Sequence, residues 1–182
     1  MCDIAMRLGK FVITGAPCTG KTTVINELSK RGYYTVAEPS RLILENHPEF
    51  RASVASNEDV DKLQRMILKL QLETELMLPR DRVVFMDGGI PSDIAFYKVR
   101  GMAPAKELIE ASKKTKYDAI FILDHIKTYE IDSLRQQTER ESKRIHRLLY
   151  EAYSDLGYDL IRVPLLAPTE RAGFIEKVID SL

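Results

Sequence analysis

Residues 11–23 read FVITGAPCTGKTT. The apolar run from Phe11 to Thr14 leads into Gly15-Ala16-Pro17-Cys18-Thr19-Gly20-Lys21-Thr22, a full match to G-x-x-x-x-G-K-[ST], and a helical pattern starts at Lys21. Strand before and helix after are the setting this pattern needs. Gly15 and Gly20 allow the backbone to bend until successive N–H groups converge on one point, where side chains would intrude. The helix starting near Lys21 directs its positive end at the same point. Such a cradle suits the phosphates of ATP: Ala16, Pro17, Cys18 and Thr19 form its wall, Lys21 reaches the β- and γ-phosphates, and the Thr22 hydroxyl takes one position on Mg²⁺. Thr23 belongs to the same stretch but reads as helix packing.

Working outward, short β-type runs alternate with longer helical patterns. The runs are Phe11 to Thr14, Tyr33 to Ala37, Val83 to Met86, Ala119 to Leu123 and Leu160 to Val163. Helical patterns cover Lys21 to Arg31, Asn57 to Met77, Pro91 to Arg100, Pro104 to Lys114, Thr138 to Leu156 and Thr169 to Ile179. This alternation predicts an α/β fold, a three-layer αβα sandwich on a five-stranded parallel sheet. Ser56 with Asp59 and Thr138 with Glu141 resemble capping boxes, Pro91 suits a first helical turn, and Gly32, Gly101 and Gly157 suit helix ends. The stretch 39–82 is too long for a simple crossover and is expected to carry helices that build an acceptor site.

The 182 residues are expected to form one domain, 1–182. Lys+Arg and Asp+Glu each number 27, so the formal net charge is zero, and no excess positive field gathers DNA or RNA. The opening MCDIAMRLGK lacks a basic start followed by a long apolar stretch, and no run approaches the length of a bilayer span. The expectation is a cytoplasmic protein without a membrane span. Cys2 and Cys18 make no disulfide framework and read as reduced thiols.

Four features carry the remaining chemistry. Asp87 follows an apolar run at the strand edge that holds the phosphate loop, where an acid holds Mg²⁺; the bland reading is a cap for the next helix. Asp93 stands in that helix's first turn, as a dipole partner or, secondarily, as a substrate contact. Glu38 closes the run Tyr33 to Ala37, with Pro39 forcing an extended exit and Arg41 close behind. Together they read as a general base and a holder of substrate, or as a local ion pair. On the long helix, Gln64, Gln71 and Glu75 line a stripe that either reads a substrate edge, Gln71 foremost, or is a solvated face.

Between Asp124 and Thr138 no clean pattern persists, and residues 124–147 are expected to form a lid with Arg135 as its cation over the transferring phosphoryl group. Arg140, Arg144 and Arg147 share a face with Glu139, Glu141 and Glu151 and read as a mixed-charge surface. His47, His125 and His146 show no metal spacing. Thr115-Lys116-Tyr117-Asp118 fits the T-K-x-D pattern that reads guanine, but Asp118 precedes its strand. It therefore belongs to the sheet edge away from the phosphate loop.

With these residues in view, the chain resembles the AAA-like ATPase/kinase family that groups with the nicotinamide riboside kinase domain of bacterial NAD regulators, among the nucleoside and nucleotide kinase-like phosphate-loop proteins. The resemblance covers nearly the whole chain. It rests on Gly15 to Thr22, Glu38-Pro39-x-Arg41, FMDGGIPSDIAFY with Asp87 and Asp93, Arg135, and YSDLGYDLIRVP followed by PTER. Relatives commonly place Arg after the strand-end Asp, where this chain has Gly88. The resemblance implies that Pro164 to Thr169 borders the adenine. It also implies ATP- and Mg²⁺-dependent phosphoryl transfer to a small hydroxylated, nucleoside-like metabolite. The alternative is a regulatory NTPase that answers to a protein or lipid partner.

Overall fold

The computed structural model describes residues 8–52, 56–124 and 139–182. In chain order the elements are β1 (Gly9–Thr14), α1 (Lys21–Lys30), β2 (Tyr34–Val36), α2 (Pro39–Asn46), α3 (Glu49–Ala52), α4 (Asn57–Met77), β3 (Val83–Asp87), α5 (Ser92–Val99), α6 (Lys106–Lys114), β4 (Ala119–Leu123), α7 (Glu139–Ser154), β5 (Leu160–Val163) and α8 (Pro168–Ile179). The sheet is parallel throughout, in the order β2-β3-β1-β4-β5. β1 is therefore central, and the chain leaves it first toward one edge and later toward the other. That reversal opens a crevice beyond the carboxyl end of β1.

The strands are apolar on both faces because helices cover both. Phe11 and Ile13 face one side and pack with Val24, Ile25 and Leu28 of α1 and with Ala172, Ile175 and Ile179 of α8. Val12 faces the other side with Val84, Met86 and Ile120, covered by Tyr117 and by Tyr153 of α7. The sandwich and its five parallel strands are as expected, and the observed strands differ from the predicted runs by at most two residues at either end.

The local signals hold where they are described. Ser56 Oγ accepts from the Asp59 N–H at 3.0 Å and caps α4. Gly32, Gly101 and Gly157 all take positive φ beyond helix ends. Pro91 caps α5 one residue outside it. The Thr138 half of the other capping box lies outside the described residues. Within 39–82 the pattern shows α4 but hides α2 and α3, of eight and four residues, which are too short to display a helical period. No helix among the described residues is long and apolar enough to cross a membrane.

Candidate functional site

The loop between β1 and α1 has the backbone its sequence calls for. Gly15 has φ 149°, Gly20 has φ 85°, and Cys18 takes the left-handed region at φ 62°, rare for a residue with a Cβ. Alternation of right- and left-handed residues turns consecutive N–H groups to one side, the geometry of an anion nest. A Cβ at Gly15 would stand 2.9 Å from Thr19 Oγ1 and 3.1 Å from the Leu123 carbonyl. Thr19 is fully buried, and its hydroxyl donates to the Ala16 carbonyl at 2.9 Å, which closes the loop from within.

Lys21 is buried, and its Nζ donates to the carbonyls of Gly15 (2.9 Å) and Ala16 (3.1 Å). The ammonium thus lies folded over its own loop. Thr22 Oγ1 donates to Asp87 Oδ2 at 3.0 Å. Asp87 is the last residue of β3, level with Ile13 in the sheet, and is buried. A hydroxyl and a carboxylate at hydrogen-bond distance, beside a nest and an ammonium, form the donor set that suits a hard divalent cation on a phosphate chain. The residues present therefore suit Mg²⁺ and ATP. Thr23 differs from expectation: it is exposed, because the buried face of α1 runs through Lys21, Val24, Ile25 and Leu28.

A small cleft beside this loop is lined by Gly15, Lys21, Glu38, Gly88, Ser92 and Phe96. Glu38 is the N-cap residue of α2, with φ −61° and ψ 115°, so Pro39 sits at N1 and the carboxylate stays at the strand end. Glu38 and Lys21 therefore share one cleft. Gly88 has φ 83°, and its N–H donates to the Ile13 carbonyl at 2.9 Å. The left-handed backbone there favours glycine.

Asp93 is only 4% exposed, and its carboxyl is held well above the usual carboxylate range, first by burial and then by the charge of Glu38. Burial and the charge of Glu38 both disfavour the ionised form on which a helix-dipole role would depend. Gln64 and Gln71 are 7% and 4% exposed, and their Oε1 atoms, like Asp93 Oδ2, have no hydrogen-bond partner among the described residues. The solvated-face reading of this stripe is thereby overturned. Glu75 is taken up elsewhere: it pairs with Lys10 and accepts from Tyr117 Oη at 2.9 Å.

The loop after Asp87 is held from below. The Gly89 N–H donates to Tyr153 Oη at 3.1 Å, Ser92 Oγ lies 2.8 Å from the same oxygen, and the Ile90 N–H donates to Tyr117 Oη at 3.1 Å. From above, α7 packs Ile145, Leu148 and Leu149 against Ala16 of the phosphate loop, and Ser142 Oγ donates to the Pro17 carbonyl at 3.4 Å. Arg140, Arg144 and Arg147 are exposed, and Arg147 pairs with Glu151 at 3.5 Å, as a mixed-charge surface should. Arg135 and His125 lie outside the described residues, as does most of the expected lid. Among the described residues no group of His, Cys, Asp and Glu forms a separate metal cluster.

Sequence reasoning missed Arg171 of α8. It is 2% exposed, and its Nη1 donates to the Thr19 carbonyl at 2.7 Å. The signal was present: Arg171 is a lone charge on the apolar stripe of Ala172, Ile175 and Ile179. Asp118 lies where expected, since its Oδ2 accepts the N–H of Lys10 at the start of β1, 2.7 Å away.

Residues 10–171 match the model of a family described as an AAA domain. A Methanosarcina acetivorans protein named "Putative adenylate kinase" is 27% identical over 177 residues, covering 93% of this chain and 86% of that protein. Among solved structures, Candida albicans thymidylate kinase superposes with a TM-score of 0.71 at 15% identity, covering 96% of this chain and 92% of the other. Deoxyadenosine kinase from M. mycoides, with dCMP and a flexible dCDP bound, gives 0.70 at 20%, covering 94% and 98%. The fold is that of phosphate-loop kinases.

Proposed function

The chain belongs to the AAA domain family, and from that premise we propose that it is a cytoplasmic phosphotransferase that moves the γ-phosphoryl group of ATP to a hydroxyl of a small, nucleoside-like metabolite. The observation that carries this reading is the shared cleft: Lys21, over the phosphate nest, and Glu38, beyond the end of β2, line the same space. Names of relatives and neighbours, kinases all, support the same class of reaction.

The roles follow from chemistry at each position. The loop N–H groups and Lys21 bind the triphosphate. Thr22 and Asp87 would hold Mg²⁺, which would neutralise negative charge on the phosphate chain. Glu38 accepts the proton of the attacking hydroxyl. The new O–P bond then forms as the bond from the γ-phosphorus to the bridging oxygen breaks, and ADP departs with the electron pair. Gln71 and Asp93 are the acceptor contacts: the orphaned Gln71 Oε1 calls for a donor such as a hydroxyl or amino group, and a protonated Asp93 carboxyl offers one. Arg41 holds the acceptor's far end, and Arg135 closes over the transferring group.

The test is ADP release with Mg-ATP, screened across nucleosides and other hydroxylated metabolites. An acceptor should raise the rate and emerge phosphorylated. Stimulation by a protein or by lipid vesicles, with no phosphorylated small molecule, would instead identify a regulatory NTPase. With an acceptor in hand, Glu38→Gln, which keeps shape but loses basicity, should lower transfer by about 10²- to 10⁴-fold and leave ATP affinity nearly unchanged. Loss of ATP binding in the same measure would move Glu38 to the metal.

A further inference from the structure

From α8, Arg171 makes a polar bridge to the phosphate loop across 152 residues of chain. Arg171 lies between the apolar positions that bury α8 against α1 and the sheet, and burial pulls its guanidinium below the usual arginine range, with Asp124 the acid that opposes the shift. Burying a guanidinium costs free energy that an apolar side chain of similar length avoids. Among the described residues its Nε and Nη2 have no hydrogen-bond partner, so these do not offset the cost with a full set of bonds. The bond that the position does make is Nη1 to the Thr19 carbonyl.

That carbonyl belongs to the peptide joining Thr19 to Gly20. In a planar trans peptide the C=O and the N–H point in opposite directions. A carbonyl drawn outward onto α8 therefore turns the Gly20 N–H away from α8, into the interior of the loop. The Thr19 side chain does not compete, because its hydroxyl is spent on the Ala16 carbonyl. A cation on the oxygen also polarises the peptide and strengthens its N–H as a donor. α8 itself is fixed on α1 by Arg31, which pairs with Glu176 and whose Nη2 donates to the Thr169 carbonyl at 2.7 Å. Arg171 thus works from a braced helix.

We propose that Arg171 is a positioning residue of the phosphate loop: by holding the Thr19 carbonyl it aims the Gly20 N–H into the anion nest and so sets the affinity for a triphosphate chain. This rests on the reading of the loop as a triphosphate site, and goes beyond it by assigning part of that affinity to a helix at the far end of the chain.

The experiment compares the full-length chain with Arg171→Met, Arg171→Lys and Arg31→Ala by isothermal titration with inorganic tripolyphosphate and, separately, with Mg-ATP, alongside thermal denaturation of each. Arg171→Met should bind both probes about tenfold more weakly or worse, the scale of one hydrogen bond from a charged donor. Arg171→Lys, which keeps the charge and can donate to the same carbonyl, should recover part of the loss. Arg31→Ala should lower the melting temperature and leave affinity for both probes intact. If Arg171→Met does not fold, Arg171→Lys decides alone: weaker binding at near-native melting temperature supports the assignment, and unchanged binding overturns it. Loss of affinity in Arg31→Ala that tracks its loss of stability would make Arg171 an ordinary packing residue. Wild-type chain that binds neither probe would sink the triphosphate reading and this inference with it, whereas wild-type binding that Arg171→Met leaves within about twofold sinks this inference alone.

Discussion

Asp93 and Glu38 are two carboxyl groups close enough for the charge of one to act on the other, and burial separates them. Glu38 lines the opening, while Asp93 is enclosed and keeps its proton well above the usual carboxylate range, because water cannot solvate its anion and Glu38 opposes a second negative charge. The unfolded chain would release that proton above about pH 4. Stability from this group is therefore complete below the unfolded value and is lost as pH rises through the raised folded one. Asp93→Asn has nearly the same shape and no proton to lose. Its melting temperature should gain on that of the wild type as pH rises from about 4 to about 8; a flat or reversed difference would mean that Asp93 is ionised in the folded chain. The positions of Glu38 and Asp87 were legible because a strand end can be read from an apolar run. The burial of Asp93 was not, since an acid in a first helical turn looks the same whether the helix faces water or a neighbouring element.

At the scale of elements, the site depends on how β3 hands over to α5. Residues 88–91 follow Asp87 directly, and two tyrosines from other parts of the chain hold them: Tyr153 of α7 and Tyr117 from the turn into β4. The fit is close, since a Cβ at Gly89 would come within 2.9 Å of the Tyr117 ring. Tyr153→Phe keeps the ring and deletes one oxygen. The buried Gly89 N–H loses its acceptor and Ser92 its partner, so unfolding free energy should fall by about 1–3 kcal/mol in urea titration. A change under about 0.5 kcal/mol would mean that water replaces the hydroxyl. Nothing in the sequence pairs Tyr153 with Gly89; long-range side-chain contacts leave no periodic trace. The elements themselves were legible where a period had room to repeat, as in α4, and hidden where a proline-led turn of helix ended after a few residues, as in α2 and α3.

For the molecule as a whole, the parallel sheet separates chemistry from bracing. The nest, Asp87 and Glu38 stand at the carboxyl ends of the strands. At the opposite edge lie Lys10, paired with Glu75 and stacked over the Tyr117 ring at 4.7 Å, and Asp118, which exchanges backbone contacts with Lys10. This division was legible because strand direction follows from the βαβ order, and every strand then points its carboxyl end the same way. The exception is α8: its place beside the nest rests on a contact that only the folded chain creates. The T-K-x-D match tests the division directly. If Thr115 to Asp118 read a purine, Asp118→Ala would change the preference between ATP and GTP. In this fold its carboxylate instead accepts the Lys10 N–H at the entry to β1, and the nucleotide loop begins only after that strand has crossed the core. Asp118→Ala should therefore cost about 0.5–1.5 kcal/mol of stability, one hydrogen bond at a partly solvated edge, and leave the ratio of Mg-ATP to Mg-GTP affinities where it was. Parallel titrations of the two nucleotides, with thermal denaturation of the same samples, read both quantities; a shifted ratio in a fully folded variant would require the base to lie at the edge of the sheet that the parallel topology assigns to bracing.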